Sequence, residues 1–496
     1  MLEIDKVFIA NHWANPASPD RLPVISPTTE EVVGSVPLAT AADVDRAVLA
    51  AREAFEHGPW PRLPVAARAE ALFRVVDAFE PRQEAAIEVQ IDEMGGTRSF
   101  VRGVTLPVRS TLQHFVDDVG LVKFSEIRRG TGGEVLVLRE PLGVTAGITP
   151  WNGPIMVALN KIFPALLMGC PMVVKLAPEA PLSFSFLADA IEAAGLPDGT
   201  ISVLAGGADV GEHLVSHPEV DLVSFTGSDA AGARIGSICG KDIRRVVLEL
   251  GGKSAAIILD GDGDAYLPSL VGNALRNVGQ VCVSPNRILV SEEQHDEFIG
   301  QLVEYVAALK VGDPHEPDTD VGPVVSARQR DRVESYIRAG VAEGAKLVQG
   351  GGRPRGFDRG FYVEPTVFDH VDPQMRIAQE EIFGPVLSVI TYKDVDDAIA
   401  IANGTQFGLG GVVYSADPKR AIEVATRLRT GSCAINDGPP AGGGGPFGGY
   451  KRSGIGRERS REGHESYLEV KSIALPPGYT YSALAVPRPR QPDRRS

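Results

Sequence analysis

The chain has 496 residues, 43% of them hydrophobic and 23% charged, with a formal net charge of −15. That length predicts about three lobes, each long enough to bury a core. The acidic balance argues against a nucleic-acid binder, which needs basic stripes to displace counterions from phosphates, and against an anionic membrane surface as partner.

The opening stretch, MLEIDKVFIANHW, carries acidic residues and no sustained apolar core, so it does not read as a signal peptide. No apolar run reaches roughly 18 residues, and no membrane span is expected. The first hundred residues read as mostly helical. In 41–57 (AADVDRAVLAAREAFEH) and 65–96 (VAARAEALFRVVDAFEPRQEAAIEVQIDEMGG) apolar residues recur at spacings of three and four. Segment 123–140, KFSEIRRGTGGEVLVLRE, predicts a hairpin around a Gly-rich turn. It has too little local core to stand alone and should pack against something else.

From there short apolar runs end in turn residues: PMVVKLAPEAP, GTISVLAGG, VDLVSFTGS and VVLELGGKSAAIILD. Helical stretches such as SFSFLADAIEAAGLP and GEHLVSHP separate them. Alternation at this spacing predicts an α/β fold with a parallel sheet and covering helices. A second α/β region is expected from about position 264, with helices in QHDEFIGQLVEYVAALKVG and SARQRDRVESYIRAGVAEGAKLV and strands in PVLSVITYK and LGGVVYSAD. The tail PRPRQPDRRS reads as loose.

Four cysteines, Cys170, Cys239, Cys282 and Cys433, lie far apart with no CxxC and no Cys/His cluster. Free thiols in a reducing cytosol, and no metal site, are the expectation. Cys282 stands in NVGQVCVSPNR. A buried thiol is more often filler than nucleophile, yet the Gly279–Gln280 turn before it would let a substrate approach closely. Glu249 ends an otherwise apolar strand, where a carboxylate is costly. It reads as a ribose ligand, since 249 − 227 = 22 suits a dinucleotide fold, as a general base, or as a turn cap. Asn152, in GITPWNGP, either shapes its turn or donates to an oxyanion. Gly227 and Ser228 open a helix whose free N–H groups suit a phosphate, and Lys175 reads either as a solvated strand end or as a donor to sugar hydroxyls. One thiol, one carboxylate, one amide and one phosphate-type helix start are the parts needed to oxidise an aldehyde with a dinucleotide.

With these residues in view the chain resembles the NAD(P)-dependent aldehyde dehydrogenase superfamily. The segments TPWN, LNKIFPAL, VVKLAPEAPLS, FTGS, LELGGK, GQVC, EEIFGPV, PFGGYKRSGIGRE and YLEVK follow in family order, and the resemblance covers most of the chain from about position 10 to 475. The resemblance implies Cys282 as nucleophile, Glu249 as general base and Asn152 as oxyanion donor with the Cys282 amide. It implies Lys161 and Glu469 as a proton relay. For the dinucleotide it implies Thr149, Pro150, Trp151, Lys175, Gly227, Ser228, Leu250, Gly251, Glu381 and Phe383.

The implied architecture is a Rossmann-type cofactor domain over 1–122 and 142–250, a catalytic domain over 251–452, and a protruding β oligomerisation element over 123–141 and 470–490. A cytoplasmic homodimer or homotetramer is expected, with a small aldehyde as substrate and neither nucleic acid nor membrane as partner. The cofactor is NAD or NADP, with a lean to NAD.

Three departures from the family pattern bear on specificity. Pro178, followed by Glu179, stands where many NAD-preferring relatives place a ribose-binding glutamate. The loop GPPAGGGG (438–445) lacks bulky tunnel residues. Arg276 stands where many relatives carry an aromatic, which would suit large or carboxylate-bearing aldehydes. The rival readings are a CoA-acylating relative, which usually lacks the base, a non-catalytic relative, and a thiol hydrolase, for which no histidine lies in a suggestive motif.

Overall fold

The computed structural model describes residues 1–261, 263–439, 444–477 and 479, which form four sheets covered by helices. The largest sheet has eight strands. Five are parallel, in the spatial order Arg245–Glu249, Leu222–Thr226, Thr145–Ile148, Met172–Leu176, Ile201–Ala205. The last four of these are buried almost end to end, the Val- and Ile-rich pattern of strands covered on both faces.

One face packs on the helices Val65–Phe79, Pro154–Leu167 and Phe184–Ala194 through Leu72, Phe163, Leu166 and Ile191. The other packs on Ala41–Glu56, Ala208–Ser216 and Asp229–Lys241 through Val44, Val48, Leu214 and Ile235. Chain order leaves the Thr145–Ile148 strand first in one direction and then in the other. The reversal lies between that strand and Leu222–Thr226. Open α/β sheets bind ligands outside the carboxyl ends of the strands at such a point.

A seven-stranded sheet follows, ordered Lys346–Gln349, Thr366–Asp369, Val386–Tyr392, Arg287–Ser291, Ala255–Ile258, Gly411–Tyr414, Ala434–Ile435, parallel except for its first strand. Residues 250–254, Cys282, Glu381 and Phe383 all precede strands of this sheet. The amino ends of the second sheet therefore face the carboxyl ends of the first. The short strand Gly454–Ile455 crosses back to pair with Arg245–Glu249, setting Gly454 against Glu249.

Three sequence expectations need correction. The first 37 residues hold five short strands joined by turns, and no helix. Val7–Ile9 and His12–Ala14 extend the large sheet beside Ile201–Ala205, and Leu2–Glu3, Arg21–Ile25 and Val32–Pro37 form a small sheet. Strands of two to six residues with distant partners show no usable period in sequence. The run VVLELGGKSAAIILD is two strands in two sheets, broken at 250–254, so the second region begins at Ala255 and not near 264. Gly279 faces no substrate: a Cβ there would lie 2.2 Å from the Gly384 carbonyl oxygen, at φ +70°.

The hairpin Ser125–Gly130 and Gly133–Pro141 forms as expected from its sequence, and its missing core comes from Leu468–Ala474 as a third strand. Ile127, Val470 and Ile473 on this sheet stay exposed. Residues 440–443 of the GPPAGGGG loop, residue 478 and the tail from 480 lie outside the described residues.

Candidate active site

A cavity of about 1400 Å³ fills the space between the two large sheets. Cys282, Glu249 and Asn152 line it, and so do Thr149, Pro150, Trp151, Lys175, Gly227, Ser228, Leu250, Gly251, Glu381 and Phe383. Lys161 and Glu469 do not.

Local structure explains how Cys282 comes to this wall. After the helix Gly263–Ala274, residues Asn277, Val278 and Gly279 adopt successive left-handed conformations at φ 49°, 60° and 70°. This tight reversal is held by Gln280, whose N–H and Nε2 both donate to the Asn277 carbonyl while its Oε1 accepts from Val325 N–H. The next residues emerge at the cavity. Cys282 packs half-buried with Val281, Val283, Leu409 and Phe447. Burial pushes its thiol well up, Glu249 and Glu381 push it further, and Arg459 opposes them.

None of the other cysteines reaches the cavity. Cys170 is buried at a pKa of about 11 and donates to the Tyr467 carbonyl; Cys433 is pushed up to about 12 by burial, and Cys239 is buried in the core.

Glu249 is 2% exposed, and its Oε1 has no hydrogen-bond partner among the described residues. Burial first, then the charge of Glu458, raises its carboxyl well above the ordinary value, with Lys161 working against them. An unpaired carboxylate held this way is poised as a base nearer neutrality. Asn152 Nδ2 donates to the Gln280 carbonyl at 2.8 Å, which fixes an amide donor at the turn leading to the thiol.

The opposite wall suits a dinucleotide. Ser228 caps the 13-residue helix Asp229–Lys241, its Oγ accepting from Ala231 N–H, so the free first-turn N–H groups and the positive helix end meet the cavity. Lys175 is 7% exposed, makes no ion pair among the described residues, and has its pKa lowered by burial. Glu381 is raised to about 7 by burial, and its Oε1 accepts from Gly252 N–H at 2.9 Å. A Cβ on Gly251 would meet Glu381 Oε2 at 2.3 Å, so glycine there is a condition of that contact. Trp151 and Phe383 meet edge to face at 5.4 Å. Donors for phosphate, polar groups for sugars and a flat aromatic corner converge in one cavity, and these residues fit a nicotinamide dinucleotide.

Sequence reasoning misplaced one carboxylate. Glu469 lies on the third strand of the hairpin sheet, its side chain 51% exposed and paired with Arg245 at 2.8 Å. Its segment is a strand beyond the cavity, which Glu469 does not line. The carboxylate that meets Lys161 is Glu458, at 2.5 Å, where the lysine is wholly buried and also donates to Ser224 Oγ at 3.2 Å. Glu458 lines the cavity and charges the surroundings of Glu249. Its signal was present as the last residue of PFGGYKRSGIGRE. Lys253 was also missed: it is buried, its Nζ has no hydrogen-bond partner among the described residues, and burial lowers it to about 7.

A model of the aldehyde dehydrogenase family matches residues 13–473. The chain is 44% identical over 472 residues to geranial dehydrogenase of Castellaniella defragrans, covering 95% of this chain and 98% of that one. It is 41% identical over 483 residues to a putative aldehyde dehydrogenase of Staphylococcus aureus, covering 96% and 99%. Among solved structures it is similar to the Mycobacterium tuberculosis aldehyde dehydrogenase complexed with NAD+, with a TM-score of 0.94 and 44% identity over 97% and 100% of the chains. It is also similar to Aldehyde Dehydrogenase C of Pseudomonas syringae in complex with NAD+ and octanal, at a TM-score of 0.90, with 41% identity over 95% and 96%.

Proposed function

The chain belongs to the aldehyde dehydrogenase family, and on that premise we propose that Cys282, Glu249 and Asn152 carry its oxidation of an aldehyde to the carboxylic acid. The observation that carries the reading is the shared cavity: one thiol, one unpaired buried carboxylate and one anchored amide, drawn from three distant segments, open onto the same space.

The thiolate of Cys282 attacks the aldehyde carbon. Asn152 Nδ2 and the Cys282 N–H stabilise the oxyanion, the kind of fixed donor whose loss typically costs about 10²–10³ in rate. The dinucleotide supplies the hydride acceptor when bound, held by Lys175, Ser228 and the helix end behind it, Glu381 and Phe383. Glu249 then deprotonates the water that releases the acyl group from Cys282. Its proton leaves toward Glu458 and Lys161, whose pair lies beside it. The presence of this base supports hydrolysis over transfer of the acyl group to coenzyme A.

NAD is the cofactor the charges favour. The groups acting on Lys175 are the carboxylates Glu179 and Asp209, which oppose an added phosphate. Glu179 lines the cavity, tethered to Arg328 at 3.2 Å. We assign residues 1–122 and 142–250 to cofactor binding, 251–452 to catalysis, and 123–141 with 470–490 to oligomerisation. The exposed Ile127, Val470 and Ile473 support a homodimer or homotetramer built through that sheet. Among the described residues no helix is long and apolar enough to cross a membrane. The four unpaired thiols favour a cytoplasmic setting.

The test is reduction of NAD+ and NADP+ followed by absorbance over a panel of aldehydes. Turnover lost in Cys282→Ala supports the assignment, and turnover kept in that variant removes it.

A further inference from the structure

The cavity lining divides by element. First-sheet loops and the helix end at Ser228 make the dinucleotide side. The other side comes from the helices Arg98–Thr105 and Pro154–Leu167, the end of Gly263–Ala274, and the segment 447–459. On that second side stand two arginines, Arg276 and Arg459.

Arg276 sits over the Phe100 ring at 5.4 Å, and Arg459 over the Phe447 ring at 5.1 Å. Neither has a carboxylate within ion-pair distance among the described residues, in a chain with 64 acidic against 49 basic side chains. Elsewhere most arginines are paired with a carboxylate, and several others donate to backbone carbonyls. Arg276 is reached by solvent through the cavity, yet burial alone lowers its pKa, with no neighbouring charge acting on it in either direction. A cation–π contact to a ring takes up none of the guanidinium N–H donors and leaves them free for a planar, two-oxygen acceptor.

A third polar group points the same way. Asn160 is 5% exposed on this side of the cavity, and the acceptor for its Nδ2 is the Met156 thioether, at 3.2 Å. Sulfur is a weak acceptor, so this amide is left wanting an oxygen. An uncharged aliphatic aldehyde would satisfy none of these three groups and would have to desolvate two guanidinium ions.

We propose that the aldehyde this enzyme oxidises carries a carboxylate, held at the end remote from the carbonyl by Arg276, with Asn160 as a further donor and with Arg459 on the Cys282 side of the same wall. The substrate class is the semialdehydes of dicarboxylic acids. This rests on the proposed dehydrogenase reading and deepens it.

The experiment compares kcat/KM for adipate semialdehyde with that for uncharged hexanal and octanal, in the wild type and in Arg276→Met. A parallel arm measures the thermal shift that adipate itself produces, which needs no turnover. We expect the semialdehyde to be preferred at least tenfold by the wild type. The preference ratio should fall roughly ten- to hundredfold in Arg276→Met, mainly through KM, since a charge-assisted pair is lost. Adipate should raise the unfolding temperature of the wild type and not of the variant.

Preference for hexanal or octanal in the wild type overturns the proposal, as does an unchanged ratio in a folded Arg276→Met. If no aldehyde is oxidised, the dehydrogenase reading fails by itself. The adipate shift then decides the carboxylate site: a shift seen only with Arg276 upholds it, and equal behaviour of the two proteins overturns it.

Discussion

Lys161 and Glu458 meet at 2.5 Å in the interior although 297 residues separate them in the chain. Lys161 comes from the helix Pro154–Leu167 and Glu458 from the segment that returns across the Arg245–Glu249 strand. Removing one partner of a buried pair leaves the other charge uncompensated, at a cost of about 3–5 kcal/mol. Lys161→Met should therefore destabilise by that order, and Lys161→Met with Glu458→Gln by less than the sum of the single changes. Urea unfolding of the four proteins in the cycle measures the coupling.

Glu469→Gln should behave differently. Its partner Arg245 is 44% exposed, and such pairs contribute at most about 1 kcal/mol. Stability and the pH–rate profile should stay near wild type, while Glu458→Gln shifts the profile. A shift of equal size in Glu469→Gln would restore that residue to the relay.

Glu249 holds its proton in the folded state at pH values where an unfolded carboxyl has released it. The folded protein binds more protons over that window, so wild-type stability falls as pH rises from the ordinary carboxylate value through the raised one. Glu249→Gln escapes this loss. The variant should unfold at a higher temperature than wild type at pH 8, and the two should converge near pH 4. Its hydrolytic step should meanwhile slow by about 10²-fold or more.

Lys253 carries the opposite sign. Its amine is lowered to about 7 against about 10.5 when unfolded, so the unfolded chain binds more protons between those values. Stability should rise with pH across that window. Lys253→Met removes the buried unpaired amine, so the gain over wild type should be largest at pH 6 and close to zero near pH 10.5. Thermal scans across that range check it.

Gly279→Ala places a Cβ 2.2 Å from the Gly384 carbonyl at φ +70°, where a side chain is strained. A loss of about 1–3 kcal/mol is expected. The turn that delivers Cys282 must also shift, so kcat should fall together with the unfolding temperature.

Much of this site could be read in the chain because its parts sit at strand ends and turns, where local sequence marks the backbone: TPWN after one strand, FTGS after another, LELGG between two sheets. The helices 41–57 and 65–96 carried their own period. The N-terminal strands did not, since two- to six-residue strands gain their register from distant partners. Glu458 and Glu469 show the same limit for side chains. Both lie in family-like motifs eleven residues apart, and only the return strand Gly454–Ile455 decides which of them reaches Lys161. The placing of Arg276 over Phe100 depends on how the Arg98–Thr105 helix packs, and that of Arg459 over Phe447 on the antiparallel bridge between Phe447 and Glu458, so neither could be seen in sequence.

The most direct test of the central claim is peptide mapping by mass spectrometry of Glu249→Gln after incubation with an oxidisable aldehyde and NAD+. With the hydrolytic base removed, the acyl group should accumulate on the peptide carrying Cys282, at the mass of the acid less water. An adduct on Cys433 or elsewhere, or full turnover with no adduct, would contradict the assignment of thiol and base.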